Sequence, residues 1–491
     1  MKRIILLLTT ALSLQFFTAQ GRNQQPLASN LISTQEQQAL KAVKPNQTPK
    51  SGELVPSTSE WTMLVYVQAN NNLSGFAMKN FSDMATIGST STLNTLVQWY
   101  QPNHQGIWRY RVERGRMVLD ECVQVESDGT TSKDLVDAMQ WAASKYTANK
   151  YALILWNHGI GILDPVWGKM QPWQVHHPRI AFSEEVIRDN PRIQIEGLTT
   201  SMVHDTHHTY AHSNHTRTST GSLLDYVVTD TRGILFNEHS RTYMDNQSLT
   251  SALKEIKTKA LGGKKLSILG MDACLMAMAE VGYLASDYAE VLVASQEVEL
   301  AQGWDYQSLV ALLALKNQDP INVARGIVTT YEKTYKEKIP FYTQSAINLE
   351  GMVPLRTCLD AMITYYNNCR SIDRSTMQEA LRKARRSCLQ FSSPNYVDLH
   401  TFLTDFHRIA GELQSPGLVL ASALQNLRTA LIASSQLVEQ YVIASAAGKG
   451  LARARGLSIY FPQGRIDESY PKTSFAKDGQ WYNFIKEAHS A

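Results

Sequence analysis

At 491 residues and 43% hydrophobic content, the chain is long enough for a large core and, as a prior, roughly two to four domains. A formal charge of +3, with Lys and Arg scattered and no aromatic-rich basic stripe, argues against nucleic acid and leaves proteins or small molecules as partners. The five cysteines, at 122, 274, 358, 369 and 388, are too few for a disulfide scaffold, and their odd number leaves at least one free thiol in an exported chain.

Met1-Lys2-Arg3 precedes an apolar run from Ile4 to Leu14 and then Phe16-Phe17-Thr18-Ala19, the pattern of a signal peptide over residues 1–19. That run is too short to span a bilayer, no Cys follows it to carry a lipid anchor, and no later segment is long and apolar enough for a membrane span. An exported chain, secreted, periplasmic or at the cell surface, is expected. Residues 20–58 are polar and lack apolar periodicity, so they read as a disordered pro-segment or tether.

Order is expected from Trp61 to Gln68, a strand, followed by an Asn-rich turn at Asn70-Asn71-Asn72 and an amphipathic helix through Met84. Strands are predicted at 94–100 and 107–113, a helix at 133–145, and a strand running into His158. A helix at 248–260 leads to a strand from Leu266, a helix at 275–285 follows Cys274, and a strand covers 290–294. This alternation predicts a mainly parallel sheet covered on both faces over residues 59–310. Beyond it, helical spacing at 307–316, 320–337, 353–369, 374–390 and 417–435, with late strands at 440–445 and 456–461, predicts a helix-rich region 311–491 docked on the sheet. The polar segment 168–247, which holds eight of the thirteen histidines, reads as an exposed inserted loop.

Two apolar runs stop at reactive residues, one at His158-Gly159 and one at Cys274. In a parallel sheet, adjacent strands ending this way bring both side chains into one crevice at the carboxyl edge, a nucleophile beside its base. A thiol needs help to ionise at neutral pH; the sequence offers the start of the 275–285 helix and the His158 imidazole. The backbone N–H groups of Gly159 and Cys274 are candidates for an oxyanion hole. Asp272, two residues before the thiol, is placed either to meet a basic substrate side chain or to cap the following helix. Trp304 reads as a platform for an Arg stem or as a core aromatic. Cys358 and Cys369 lie too far apart on one helix to bond, while a Cys369–Cys388 bond stays open. Histidines 204, 207, 208, 212 and 215 come without Cys or carboxylate company, so a solvated loop is favoured over a zinc site.

The turn ANNNL at 69–73, ILWNHG at 154–159, MDACLMAMAEV at 271–281, ASQEVELAQGWDY at 294–306, YVDL at 396–399 and GLSIYFP at 456–462 together resemble the clostripain family of cysteine peptidases, relatives of the caspase, gingipain and legumain peptidases. The resemblance implies a caspase-like α/β/α sandwich and a catalytic dyad of His158 and Cys274, with no third catalytic residue to be sought. It implies cleavage after Arg or Lys, with Asp272 in the S1 pocket and the Gly303-Trp304-Asp305-Tyr306 stretch, hence Trp304 and Asp305, in its wall. It implies a zymogen cut between His and Cys with both pieces retained; among the arginines of the insert, Arg232 is favoured because Gly233-Ile-Leu-Phe-Asn-Glu resembles the start of the family's second chain. No cofactor is required on this reading, and calcium enters by resemblance only, since no Asp-rich calcium loop is visible. The competing reading is a non-catalytic secreted binding protein on the same scaffold.

Overall fold

The computed structural model describes residues 58–101, 106–123, 127–164, 193–196, 234–413 and 417–489. The strands are β1 (Ser59–Gln68), β2 (Leu93–Tyr100), β3 (Ile107–Glu113), β4 (Arg116–Val123), β5 (Ala148–Trp156), β6 (Gln194–Ile195), β7 (Ile234–Asn237), β8 (Thr242–Met244), β9 (Leu266–Asp272), β10 (Ala289–Ala294), β11 (Thr343–Asn348), β12 (Tyr396–Asp398), β13 (Val442–Ala447) and β14 (Ser458–Tyr460). Ten of them form one sheet in the order β13-β11-β10-β9-β5-β1-β2-β3-β4-β6; β7-β8 and β12-β14 make two small pairs.

From β10 across to β2 neighbouring strands run parallel, and antiparallel pairs flank this centre on both sides. The centre is buried on both faces, which is why its strands read as continuous apolar runs. Successive residues feed different cores: Leu64, Tyr66, Leu153, Leu155, Leu269 and Met271 pack on one face. Met63, Val65, Val67, Ile154, Trp156 and Ile268 pack on the other. The expected α/β/α sandwich is present. Its helices begin where short polar side chains satisfy the first backbone donors: Thr131 with Asp134 makes a capping box on the helix Ser132–Lys145, and Asp245 caps Asn246–Glu255.

Four departures from the sequence reading have physical causes. The region beyond 310 does more than dock on the sheet, since β11 and β13 extend it as antiparallel strands. Two further helices, Leu399–Glu412 and Trp481–His489, lie outside the expected helices, the first burying an apolar stripe of Leu399, Phe402, Leu403, Phe406 and Ile409. The polar insert is shorter than 168–247, because Ile234, Leu235 and Phe236 are buried in the β7-β8 pair ahead of the Asn246–Glu255 helix. The helix after Cys274 is only Ala279–Ala285; residues 275–278 run instead beside the 295–297 segment, with Leu275 N–H donating to the Glu297 carbonyl (3.1 Å) and Ala277 N–H to that of Ser295 (2.8 Å). Leu275 takes a φ of +65°, which breaks any helix there. All five cysteines are unbonded, Cys369 and Cys388 included.

Candidate active site

Three adjacent parallel strands, β1, β5 and β9, end at one rim of the sheet. Trp156 closes β5 opposite Asp272 at the end of β9, and Val67 of β1 pairs with Trp156. The turns beyond them carry Asn72, His158 and Cys274. His158 and Cys274 line one narrow cleft with Leu73, Asn157, Asp272, Ala273, Glu299, Leu300 and Ala301. The two turns touch: Asn157 N–H donates to the Asp272 carbonyl at 3.3 Å. A methyl group on Gly159 would lie 2.5 Å from the Cys274 carbonyl oxygen, so only glycine permits this approach.

The cleft is closed. Its water-accessible volume is about 20 Å³, room for about one water and far too little for a Lys or Arg side chain. Cys274 is 7% exposed and His158 4%. Glu299 N–H donates to Cys274 Sγ at 3.2 Å. Burial pushes the thiol up to about 12, with the Glu299, Glu297 and Asp272 carboxylates adding to it and the Glu299 N–H opposing. The expected help from a helix N-terminus is missing, since the helix starts at residue 279. Among the described residues, the N–H groups of Gly159 and Cys274 donate to no protein acceptor.

Asp272 does not cap the following helix, whose first turn begins beyond Met278. Its carboxylate accepts from Tyr306 Oη (2.9 Å) and the Trp304 N–H (3.3 Å), and burial raises it above the usual carboxylate range despite those donors. Glu299 had not been singled out, though it lies within the quoted 294–306 stretch. Its Oε2 accepts from Ala273 N–H at 2.8 Å, and its Oε1 accepts from Trp304 Nε1 at 2.6 Å and Gln344 Nε2 at 3.0 Å. Burial first, and then the Asp272 charge, raises Glu299 well above its ordinary value. Among the described residues neither acid has a cationic partner. Trp304 is buried with its ring against Gly270, and Asp305 caps the helix Tyr306–Ala314 by accepting from Ser308 N–H at 3.0 Å. Neither side chain lines the cleft, so the expected wall is made by Glu299, Leu300 and Ala301.

Two asparagines also escaped the sequence reading. Asn157 grips the backbone of Phe236 in β7, accepting its N–H at 2.8 Å and donating to its carbonyl at 3.0 Å. Asn72 Oδ1 lies 2.8 Å from His158 Nε2. Arg232 and the histidines at 204–215 fall outside the described residues.

The model of the clostripain family of peptidases matches residues 65–171 and 213–487. The chain belongs to the clostripain family. It is a cysteine peptidase, and the non-catalytic reading of the scaffold gives way to that. No curated protein sequence matches the chain. Among solved structures, a secreted C11 cysteine protease of Bacteroides thetaiotaomicron, in complex with an irreversible peptide inhibitor, superposes with a TM-score of 0.52 at 16% identity, covering 87% of this chain and 99% of that one. An inactive zymogen C11 protease of Parabacteroides distasonis gives 0.52 at 19% identity, covering 88% and 99%. At such identities the likeness establishes a shared fold, here the caspase-like sandwich of the clostripain peptidases.

Proposed function

We propose that this clostripain-family peptidase is an exported endopeptidase that cleaves peptide bonds after Arg, and less well after Lys, through a dyad of Cys274 and His158. The observation that carries the reading is that both side chains line one cleft at the ends of adjacent parallel strands, with Asp272 beside them. His158 would take the thiol proton; the thiolate would attack the scissile carbonyl, forming the S–C bond as the electron pair moves onto oxygen. The N–H groups of Gly159 and Cys274 would hold that oxyanion. Collapse breaks the C–N bond, His158 returns the proton to the leaving amine, and water hydrolyses the thioester.

Basic selectivity is supported by Asp272 and Glu299, two neighbouring buried carboxylates lacking a cation among the described residues. Such a pair is unfavourable to leave charged, and an entering guanidinium can bond carboxylates bidentately where an ammonium acts as a point charge. Trp304 and Asp305 act behind this floor: Trp304 ties Asp272 and Glu299 together, and Asp305 fixes the helix that brings Tyr306 to Asp272.

The closed cleft fits a zymogen, with cleavage after Arg232 as the activating cut and the leader 1–19 as the export signal. The two fragments would stay together, because β5 and β9 are hydrogen-bonded neighbours, Ser132 Oγ donates to the Ser248 carbonyl at 2.7 Å, and Asn157 holds Phe236. Substrates are proteins or peptides, and no cofactor takes part in the chemistry; a calcium requirement would show as loss of activity in chelator and recovery with added calcium. No helix among the described residues is long and apolar enough to cross a membrane.

Replacing Cys274 by Ala tests the proposal. The variant should have no activity on an Arg-ending peptide amide and should remain a single chain, whereas the parent yields a fragment whose N-terminal sequence begins at Gly233. Cleavage of the Cys274→Ala chain at the same bond during its own expression would assign activation to another protease.

A further inference from the structure

We infer that Asn72 is a positioning residue for His158, so that the dyad and the side chain that orients it are delivered by three neighbouring strand ends. The inference rests on the dyad reading above and deepens it. Asn72 follows β1, His158 follows β5 and Cys274 follows β9, and these strands are consecutive in the sheet. Asn72 Oδ1 faces His158 Nε2 at 2.8 Å. A side-chain carbonyl oxygen only accepts, so Nε2 carries the hydrogen and the lone pair of the neutral ring sits on Nδ1. Nδ1 is therefore the base that takes the Cys274 proton. When it does, the ring becomes an imidazolium whose Nε2–H still rests on Asn72, which fixes the ring plane without adding a negative charge.

The turn that carries Asn72 is itself held from below. Asn71 is fully buried; its Nδ2 donates to the Gln68 carbonyl (3.2 Å) and the Phe236 carbonyl (3.0 Å), and its Oδ1 accepts from Leu73 N–H (2.9 Å). Asn70 N–H donates to Gln68 Oε1 at 2.9 Å, and Glu238 N–H to the Asn70 carbonyl at 2.9 Å. Within the turn the Asn71 side chain and the Asn70 backbone fix the chain path, and the Asn72 side chain meets the histidine. This support makes the contact a preorganised one.

The test compares Asn72→Leu, which keeps the size and removes the acceptor, Asn72→Asp, which keeps the acceptor and adds charge, and His158→Ala. Each is the full chain brought to the mature cleavage pattern by trace parent enzyme, with thermal midpoints recorded. For Asn72→Leu, kcat should fall about 10- to 100-fold with KM changed by less than about threefold, since positioning carries part of the roughly 10²- to 10⁴-fold effect of general acid–base catalysis. For Asn72→Asp, most of kcat should return, and the pH profile of Cys274 alkylation should move upward because a carboxylate favours the imidazolium. If Asn72→Leu does not fold, the shifted profile of Asn72→Asp decides. Parent kcat and an unmoved pH profile in the Asn72 variants, with His158→Ala inactive, would overturn this inference alone. Full activity in His158→Ala would overturn the dyad and this inference with it.

Discussion

The thiol at position 274 illustrates how a reactive residue can be legible while its environment is not. Its place at the end of an apolar run was readable, but the expected helix dipole vanished because Leu275 adopts a positive φ and the chain continues as an extended segment. With the thiol pushed up to about 12 by burial, almost no thiolate exists at neutral pH in the closed form. Iodoacetamide should therefore alkylate Cys274 of the intact chain slowly at pH 7, with the rate still climbing above pH 10. After processing, the rate should reach its plateau near neutrality, as mapped by peptide mass spectrometry. Equal neutral-pH rates before and after processing would show that the closed cleft has no bearing on latency. At the same scale, Asp272→Asn should raise KM for Arg and Lys substrates at least about 10-fold, the loss of a charge-assisted bond, with a smaller change in kcat. An unchanged KM would move basic recognition to Glu299 or elsewhere. Glu299 itself was invisible from sequence because nothing in its spacing distinguishes a cleft carboxylate from an ordinary turn residue.

The strand-turn elements are the units that bring the site together, and their tolerances are tight. Gly303 has a φ of +66°, and a methyl group there would lie 2.5 Å from Asp272 Oδ2. Gly303→Ala should thus lower the melting temperature, with about 1–2 kcal/mol from the left-handed backbone alone, and weaken Asp272-dependent selectivity together with it. A loss of stability with intact Arg selectivity would separate the loop from the pocket. Asn157 ties the His turn to β7, which directly follows the proposed cut at Arg232. In Asn157→Ala the mature fragments should separate at lower denaturant than in the parent, followed by size-exclusion chromatography. The strands at 59–68, 148–156 and 266–272 were readable because double burial makes their inner segments, 63–67, 152–156 and 268–271, continuous runs without a charged residue. Short or edge elements such as β4, β6 and β7 were not, since few residues each contribute burial and their pairing is set by distant chain.

Across the whole molecule, several buried acids sit in the core, and Glu280 is the simplest to isolate. Its Oε1 accepts from Tyr460 N–H at 2.9 Å and Tyr470 Oη at 3.0 Å, while Oε2 has no partner among the described residues. Burial pushes this carboxyl up to about 7 from its ordinary 4.5. A folded-state value above the unfolded one means the folded chain holds the proton more tightly, so this stabilisation is complete below about pH 4.5 and is lost as pH rises to about 7. The loss is on the order of 3 kcal/mol at most. Glu280→Gln should flatten the decline of thermal midpoint between pH 5 and 7.5, while the parent, with Asp272, Glu299 and Asp398 raised in the same sense, declines more steeply. A parallel decline in both would place the proton linkage on other groups. The sandwich as a whole was legible from the alternation of runs and turns. That the C-terminal region also completes the sheet was not: the strand at 440–445 was readable, but β11, through which it joins the sheet, reads Thr-Gln-Ser-Ala-Ile-Asn over Thr343–Asn348 and carries little apolar signal although it is buried.

The account stands on the pairing of one sulfur with one imidazole at a shared rim of the sheet. It is tested most directly by treating the mature protein with a peptidyl-Arg chloromethyl ketone and mapping the adduct by mass spectrometry. The account predicts a single adduct on Cys274, blocked by an Arg-ending peptide and lost in His158→Ala. An adduct on Cys122, Cys358, Cys369 or Cys388 with Cys274 untouched, in a preparation that cleaves the Arg substrate, would contradict it.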